Sequence, residues 1–300
     1  MSFEPRGAWT AIYTPFLESG DIDLPSLEAL CDRQASAGVG IAACGTTGET
    51  PTLTQAEYDQ VVTTAVRVSA GRVPVIAGTG SNSTRVTVQM TRRARELGVD
   101  GALVVTPYYN KPPVLGQLAH FREVADGGGL PMMLYNVPGR TGTKMTAETI
   151  LALAEHPQVI AVKEASGDLE LFRALLDGAP EGFAVLSGDD VLTAPTMRMG
   201  ASGVVSVAAN LVPRAVARLV AAGAERDLDR LSVLHHELLP FFDALFMTSN
   251  PIPAKAAGAM LGHSSPHVRL PLVTDALDAD MERALRLALD RALRVEAGEV

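Results

Sequence analysis

Eight short apolar, β-branched runs recur along the first two-thirds of the chain, and they restrict its fold more than any other feature. They begin at Ala8 (AWTAIYT), Val39 (VGIAACG), Val73 (VPVIAG), Gly101 (GALVVT), Leu130 (LPMMLY), Val159 (VIAVKE), Phe183 (FAVLSG) and Val204 (within GVVSV). Successive starts lie 21 to 34 residues apart, the length of one strand plus one helix. Continuous apolar runs, as opposed to alternating ones, mark strands buried on both faces of a parallel sheet. The stretches between them start polar and carry helical spacing. Thr54-Gln-Ala-Glu57 makes a capping box, residues 82–97 end at Gly98, and residues 146–155 form a third example. Eight strand-helix units with no Gly-rich dinucleotide fingerprint in the first turn predict an α/β fold, a (β/α)8 TIM barrel and not a doubly wound sheet.

After about Leu211 the strand pattern stops, and helices are expected near residues 214–222, 228–245, 252–261 and 279–295. Pro251, Pro253, Pro266 and Pro271 punctuate this part, as they would a folded helical region. The expected organisation is a catalytic barrel over residues 1–222 and a small C-terminal helical region over residues 223–300.

Composition narrows the function. The 300 residues are 47% hydrophobic and 20% charged, enough to bury a large core, and the net charge of -9 argues against nucleic acid or anionic membrane as partners. The two cysteines, Cys31 and Cys44, are too few for a disulfide framework and too far apart for a CxxC site. The opening MSFEPRGAWTAIYTPF carries no basic segment followed by an apolar one, and no run approaches the roughly 20 apolar residues of a bilayer span. A soluble, cytoplasmic protein acting on small molecules is expected.

In such a barrel the active site lies at the C-terminal ends of the strands. The residues that close the runs there are polar: Thr14, Gly45-Thr46-Thr47-Gly48-Glu49, Gly78-Thr79, Thr106-Pro-Tyr108-Tyr109-Asn110, Tyr135-Asn136, Lys163-Glu164, Ser187-Gly188-Asp189-Asp190 and Ser206. Lys163 is the sharpest candidate, for of the four lysines (Lys111, Lys144, Lys163, Lys255) it alone ends a buried-looking strand. Burial disfavours its ammonium, and a neutral amine can attack a carbonyl to form a Schiff base. The alternative is a structural ion pair with Glu164, Asp189 or Glu49. Tyr135 ends the neighbouring strand, where its phenol can shuttle protons or simply pack in the core. The turn Gly45-Thr46-Thr47-Gly48 can present N–H groups and hydroxyls to a carboxylate, and Arg140, in a Gly/Pro-bounded loop, can fork onto another. Asp189-Asp190 is a weak metal candidate, and His263 and His267 are separated from a shared helix face by Pro266.

Six motifs now stand in order: Gly45-Thr-Thr-Gly-Glu49, Thr106-Pro-Tyr-Tyr-Asn110, Tyr135-Asn-Val-Pro-Gly-Arg-Thr-Gly142, Lys163-Glu-Ala-Ser-Gly167, Ser187-Gly-Asp-Asp190 and Asn250-Pro-Ile-Pro253. Together they resemble the dihydrodipicolinate synthase family, within the N-acetylneuraminate lyase superfamily of class I pyruvate aldolases, from Gly7 to the final helix. The resemblance implies a homotetramer, or a dimer, that condenses pyruvate with L-aspartate 4-semialdehyde and uses no metal or other cofactor. It implies Lys163 as the Schiff-base lysine and Tyr135, Thr46 and Tyr109 as the proton relay, with Tyr109 reaching into a neighbouring subunit. Thr47 and Val205 would hold pyruvate, and Arg140 the carboxylate of the aldehyde. A sister aldolase acting on a sugar acid, or a non-catalytic homologue, are the competing expectations. Lysine-inhibited members carry polar residues at 55 and 58 and a glutamate at 86; Gln55, Tyr58 and Val86, beside Arg85, imply weak or absent feedback inhibition although Asn82 and Tyr108 remain.

Overall fold

The structure, a computed structural model, describes residues 4–300. Eight parallel strands close into one barrel in sequence order: β1 (Gly7–Ala11), β2 (Gly40–Ala43), β3 (Val75–Gly78), β4 (Gly101–Val105), β5 (Met132–Asn136), β6 (Val159–Glu164), β7 (Ala184–Ser187) and β8 (Gly203–Ser206). The expected (β/α)8 barrel is what forms. Four of the eight strands, β2, β3, β5 and β7, begin one or two residues after the start of their apolar run, since Val39, Val73, Leu130 and Phe183 are buried in the segments that feed them.

Helices cover the outside: α1 (Leu24–Ser36), α2 (Gln55–Ser69), α3 (Thr84–Glu96), α4 (Val114–Gly128), α5 (Pro138–Thr141), α6 (Ala147–Ala154), α7 (Leu169–Gly178) and α8 (Thr193–Met199). Side-chain oxygens cap α1, α2, α6 and α7, with Thr54 and Glu57 forming the expected reciprocal box at α2 and Asp168 accepting from two amides at α7. Arg140 sits in the short helix α5, not in an open loop, because Pro138 starts a helical turn that Gly142 ends in a left-handed conformation. After β8, α9 (Pro213–Ala224) packs on β1, β8 and α8 and completes the outer ring, and the C-terminal part contributes α10 (Leu228–Ala244), α11 (Ile252–Met260) and α12 (Ala279–Ala297). Glu296 of α12 accepts from the first amides of α9, and Arg291 pairs with Glu237, so these helices are fixed to the barrel and to each other.

Side chains alternate between the strand-helix layer and the barrel interior. The interior set includes Trp9, Ala42, Ile76, Leu103, Met133, Ala161, Ala184, Leu186 and Val205, all buried. Trp9 faces Gly40 on the next strand, where a Cβ would stand 2.6 Å from the indole, so only glycine leaves room for this plug. Strand β6 carries one irregularity that matters for the site. Met132 pairs with Val159 and Met133 with Ala161, so Ile160 is a surplus residue and the ladder slips by one. Beyond it Tyr135 stands beside Lys163, and both point inward; without the slip the inward neighbour of Tyr135 would be Val162.

Candidate active site

The ends of β5 and β6 are locked from outside the barrel. Asn136 and Glu164, one residue past the inward pair, are both buried, and the Asn136 amide donates to Glu164 Oε2 at 2.7 Å while its oxygen accepts from the Met145 amide at 3.0 Å. The other Glu164 oxygen accepts from the Ser166 amide at 2.6 Å. Burial pushes the Glu164 carboxyl above the usual range, and these bonds counter part of that rise.

Lys163 is 5% exposed, and its Nζ lies 4.4 Å from the centre of the Tyr135 ring. Among the described residues no carboxylate oxygen approaches this ammonium within 4.0 Å; Glu49 instead pairs with Lys255, Glu164 is taken by Asn136 and Ser166, and Asp189 accepts from Val191. The ion-pair alternative for Lys163 is therefore not what the fold builds. Gly188 makes room for the lysine, since a Cβ there would meet its Cε at 2.9 Å and its Cγ at 3.0 Å.

The turn after β2 supplies the hydroxyls. Gly48 and Glu49 donate back to Gly45 and Thr46 carbonyls at 3.1 Å each, Thr50 Oγ1 donates to Gly45 O and Thr14 Oγ1 to Gly48 O, both at 2.8 Å. Cys44 and Glu49 bracket the turn with left-handed φ of 53° each, an uncommon conformation for residues with a Cβ that the surrounding bonds must hold. The Asn250 amide donates to Thr47 Oγ1 at 2.9 Å, while Asn250 Oδ1 is buried without a partner among the described residues.

A cavity of about 410 Å³ opens at this end of the barrel, and Thr46, Thr47, Tyr135, Arg140 and Lys163 all line it. Five of the seven sequence candidates thus meet in one space. Val205 is fully buried in the barrel interior with Tyr135, below the cavity wall. Tyr109 is 87% exposed on a loop where its φ is 73°, away from this cavity. A second cavity of about 550 Å³ shares Thr46, Tyr135, Arg140 and Asn250 and runs past Val86, Met90 and Tyr108 toward Pro271 and Leu272. Tyr58 is 2% exposed, packed in the core with its hydroxyl unpartnered among the described residues.

Sequence reasoning missed the wall that the C-terminal part supplies: Phe242 and Asp243 from the end of α10, Phe246 just beyond it, and Asn250. Only Asn250 had a local signal, its place in Asn250-Pro-Ile-Pro253. Asp189 also lines the cavity, and burial followed by repulsion from Asp190 raises its carboxyl. Asp190 is a rivet: it accepts from Ser206 Oγ and from the Val207 and Ala208 amides at 2.8 and 3.1 Å. Among the described residues no three His, Cys, Asp or Glu side chains gather as a metal site would require, and no helix is long and apolar enough to cross a membrane.

This arrangement holds a buried primary amine, a phenol against it, two hydroxyls and a guanidinium around a space for small acids. The model of the "Dihydrodipicolinate synthetase family" matches residues 4–291. A 4-hydroxy-tetrahydrodipicolinate synthase of Pelobacter propionicus is 46% identical over 268 residues, 89% of this chain and 92% of that protein. The structure of the 4-hydroxy-tetrahydrodipicolinate synthase of Methylacidiphilum fumariolicum superimposes with a TM-score of 0.94 at 39% identity, covering 98% of both chains. A dihydrodipicolinate synthase of Acinetobacter baumannii complexed with pyruvate gives 0.93 at 41% identity over 96% of this chain and 98% of that one. With fold, length and the family model all matched, the chain belongs to the dihydrodipicolinate synthetase family.

Proposed function

We propose that the chain is a lyase, a 4-hydroxy-tetrahydrodipicolinate synthase, which condenses pyruvate with L-aspartate 4-semialdehyde on the route to diaminopimelate and lysine. The observation that carries this reading is Lys163, a buried amine with no carboxylate of the described residues within 4.0 Å, facing Tyr135 in the cavity lined by Thr46, Thr47 and Arg140. Its named relatives and the pyruvate complex of the Acinetobacter protein support the choice of substrate.

The Lys163 amine attacks the C2 carbonyl of pyruvate, and water leaves as the imine forms. The hydroxyls of Thr46 and Tyr135 carry protons to and from this centre, including the methyl proton whose loss gives the enamine. The enamine carbon bonds to the aldehyde carbon of the second substrate, whose oxygen takes a proton and becomes the 4-hydroxyl. The amino group of that substrate then displaces Lys163 from the imine carbon, closing the ring and freeing the lysine; one water is released per turnover. Thr47 and its turn receive the carboxylate of pyruvate, Val205 underlies it, and Arg140 forks onto the carboxylate of the aldehyde. A short acid suits this mouth better than a sugar acid, whose polyol chain would use several hydroxyl-binding groups where Arg140 stands.

Tyr109 completes the relay of a neighbouring copy, in a homotetramer or dimer, which fits its 87% exposure. The barrel comprises residues 1–222 and the helical region 223–300; the protein works in the cytoplasm, with side chains alone as its catalytic groups. Incubation with pyruvate and borohydride tests the reading: the mass of one reduced pyruvate adduct is expected on Lys163. A label elsewhere, or none, refutes the mechanism, and faster turnover with a sugar-derived aldehyde than with aspartate semialdehyde refutes the substrate.

A further inference from the structure

We propose that Lys255 is a positioning residue for the turn Gly45–Glu49: through its ion pair with Glu49, the C-terminal part of the chain sets where Thr46 and Thr47 stand. The inference rests on the reading that this turn receives the carboxylate of the keto acid.

Lys255 lies in α11 and is fully buried. Its Nζ donates to Glu49 Oε1 at 2.5 Å and to the His267 carbonyl at 2.8 Å, and it lies 4.0 Å from the centre of the Phe16 ring. The other Glu49 oxygen accepts from the Arg269 amide at 2.9 Å. The Arg269 guanidinium stacks 4.2 Å from the same Phe16 ring and continues to Gly20 O, Thr52 O and the Glu57 carboxylate. Glu49 is thus the end post of the turn, and each of its side-chain oxygens is tied to a residue more than 200 positions away.

This tie reaches the reacting groups through two bonds. The Glu49 amide donates to Thr46 O, so moving Glu49 moves Thr46, and Asn250, five residues before Lys255, donates to Thr47 Oγ1. Glu49 holds a left-handed backbone without being glycine, so local preference does not place it there. An ion pair buried this deeply is a poor way to gain stability, because well-packed apolar groups of the same volume serve as well or better. What it supplies is one fixed direction and distance between two elements. Burial draws Lys255 down to about 8, and the partner charge of Glu49 opposes that fall.

The test uses the full chain in three forms: wild type, Lys255→Met, and the neutral double variant Glu49→Gln/Lys255→Met. Thermal midpoint, pyruvate KM, kcat and borohydride trapping at saturating pyruvate are read for each. The double variant is expected to regain most of the midpoint lost by Lys255→Met. Its pyruvate KM stays raised on the order of ten-fold, with Lys163 still trapped, as expected for a misplaced carboxylate site. A pyruvate KM within about two-fold of wild type in the double variant overturns the proposal, as does a KM that recovers in step with the midpoint. Should either variant fail to fold, Phe16→Leu removes the ring beneath Lys255 and leaves all charges in place. A pyruvate KM raised about three-fold is then expected, and an unchanged one overturns the proposal. Failure of wild type itself to trap pyruvate on Lys163 refutes the reading of the site, a result distinct from any of these.

Discussion

Replacing Gly188 by alanine adds a single methyl group against the lysine. Gly188 has no left-handed φ, so alanine meets no backbone penalty and the substitution tests space alone. The new Cβ would stand 2.6 Å from the Ala165 Cβ, 2.9 Å from Lys163 Cε and 3.0 Å from Lys163 Cγ. Carbon atoms settle about 3.5–4.0 Å apart, so the lysine must retreat by about 0.6 Å or more. Two costs follow. Overpacking of this kind destabilises by about 1–3 kcal/mol. A displacement approaching 1 Å at a nucleophile costs on the order of 100-fold in rate. The strand cannot simply yield, because the Gly188 amide donates to Glu164 O at 2.7 Å and Glu164 is itself tied to Asn136. In a coupled assay kcat/KM for pyruvate should fall by about 30-fold to 100-fold, with a matching fall in the rate of borohydride trapping. A variant within about two-fold of wild type, with an unchanged thermal midpoint, would show that Lys163 has room to spare and would refute the geometry argued for the cavity.

Other consequences can be measured directly. Asn136→Ala removes the amide between Glu164 and Met145, leaving a buried carboxyl short of a donor; unfolding should be easier by about 1–3 kcal/mol in denaturant titration, and an unchanged midpoint would contradict the lock. Glu57 is drawn down to about 2, first by hydrogen bonds from Arg269, against an ordinary 4.5. A carboxyl lowered by folding adds stability that is present above its unfolded value and lost as pH falls through its folded one. Glu57→Gln should therefore lower the thermal midpoint near neutrality, with the difference from wild type shrinking as pH falls from about 4.5 toward 2. A difference that stays constant over that range would sink the assignment. Lysine should inhibit weakly or not at all, since Val86 offers no anion for an ammonium and Tyr58 is buried in the core; half-maximal inhibition at sub-millimolar lysine would refute this.

The strands and the lysine were legible in the sequence for one physical reason. A strand buried on both faces carries few polar residues before its last positions, so Lys163, Tyr135 and the Thr46-Thr47 turn stood out as the polar ends of apolar runs. Nothing comparable marked the C-terminal wall. Phe242 and Asp243 end an ordinary amphipathic helix, and their arrival over the mouth depends on how α10 packs. Lys255 did carry a signal, a lone charge among small and apolar neighbours in Ile252-Pro-Ala-Lys255-Ala-Ala, but the choice of Glu49 as its partner is made across the fold. Arg140 was found while its short helix was not, because four residues are too few for a periodicity. The surplus residue at Ile160 was invisible, since inward or outward facing is settled by pairing with a neighbour and not by the strand itself.

That surplus residue sets a rule for how such a chain can change. Which way Lys163 faces depends on how many residues separate it from the slip at Ile160. Exchanging Ala161 or Val162 for other side chains leaves the lysine aimed into the barrel. Inserting or deleting one residue between the slip and the lysine turns the amine outward to the helices and brings Val162 or Glu164 to face the substrate. Sequence drift is thus free to alter composition along this stave but not its length, and an engineer grafting the lysine strand into another barrel must carry the bulge across with it.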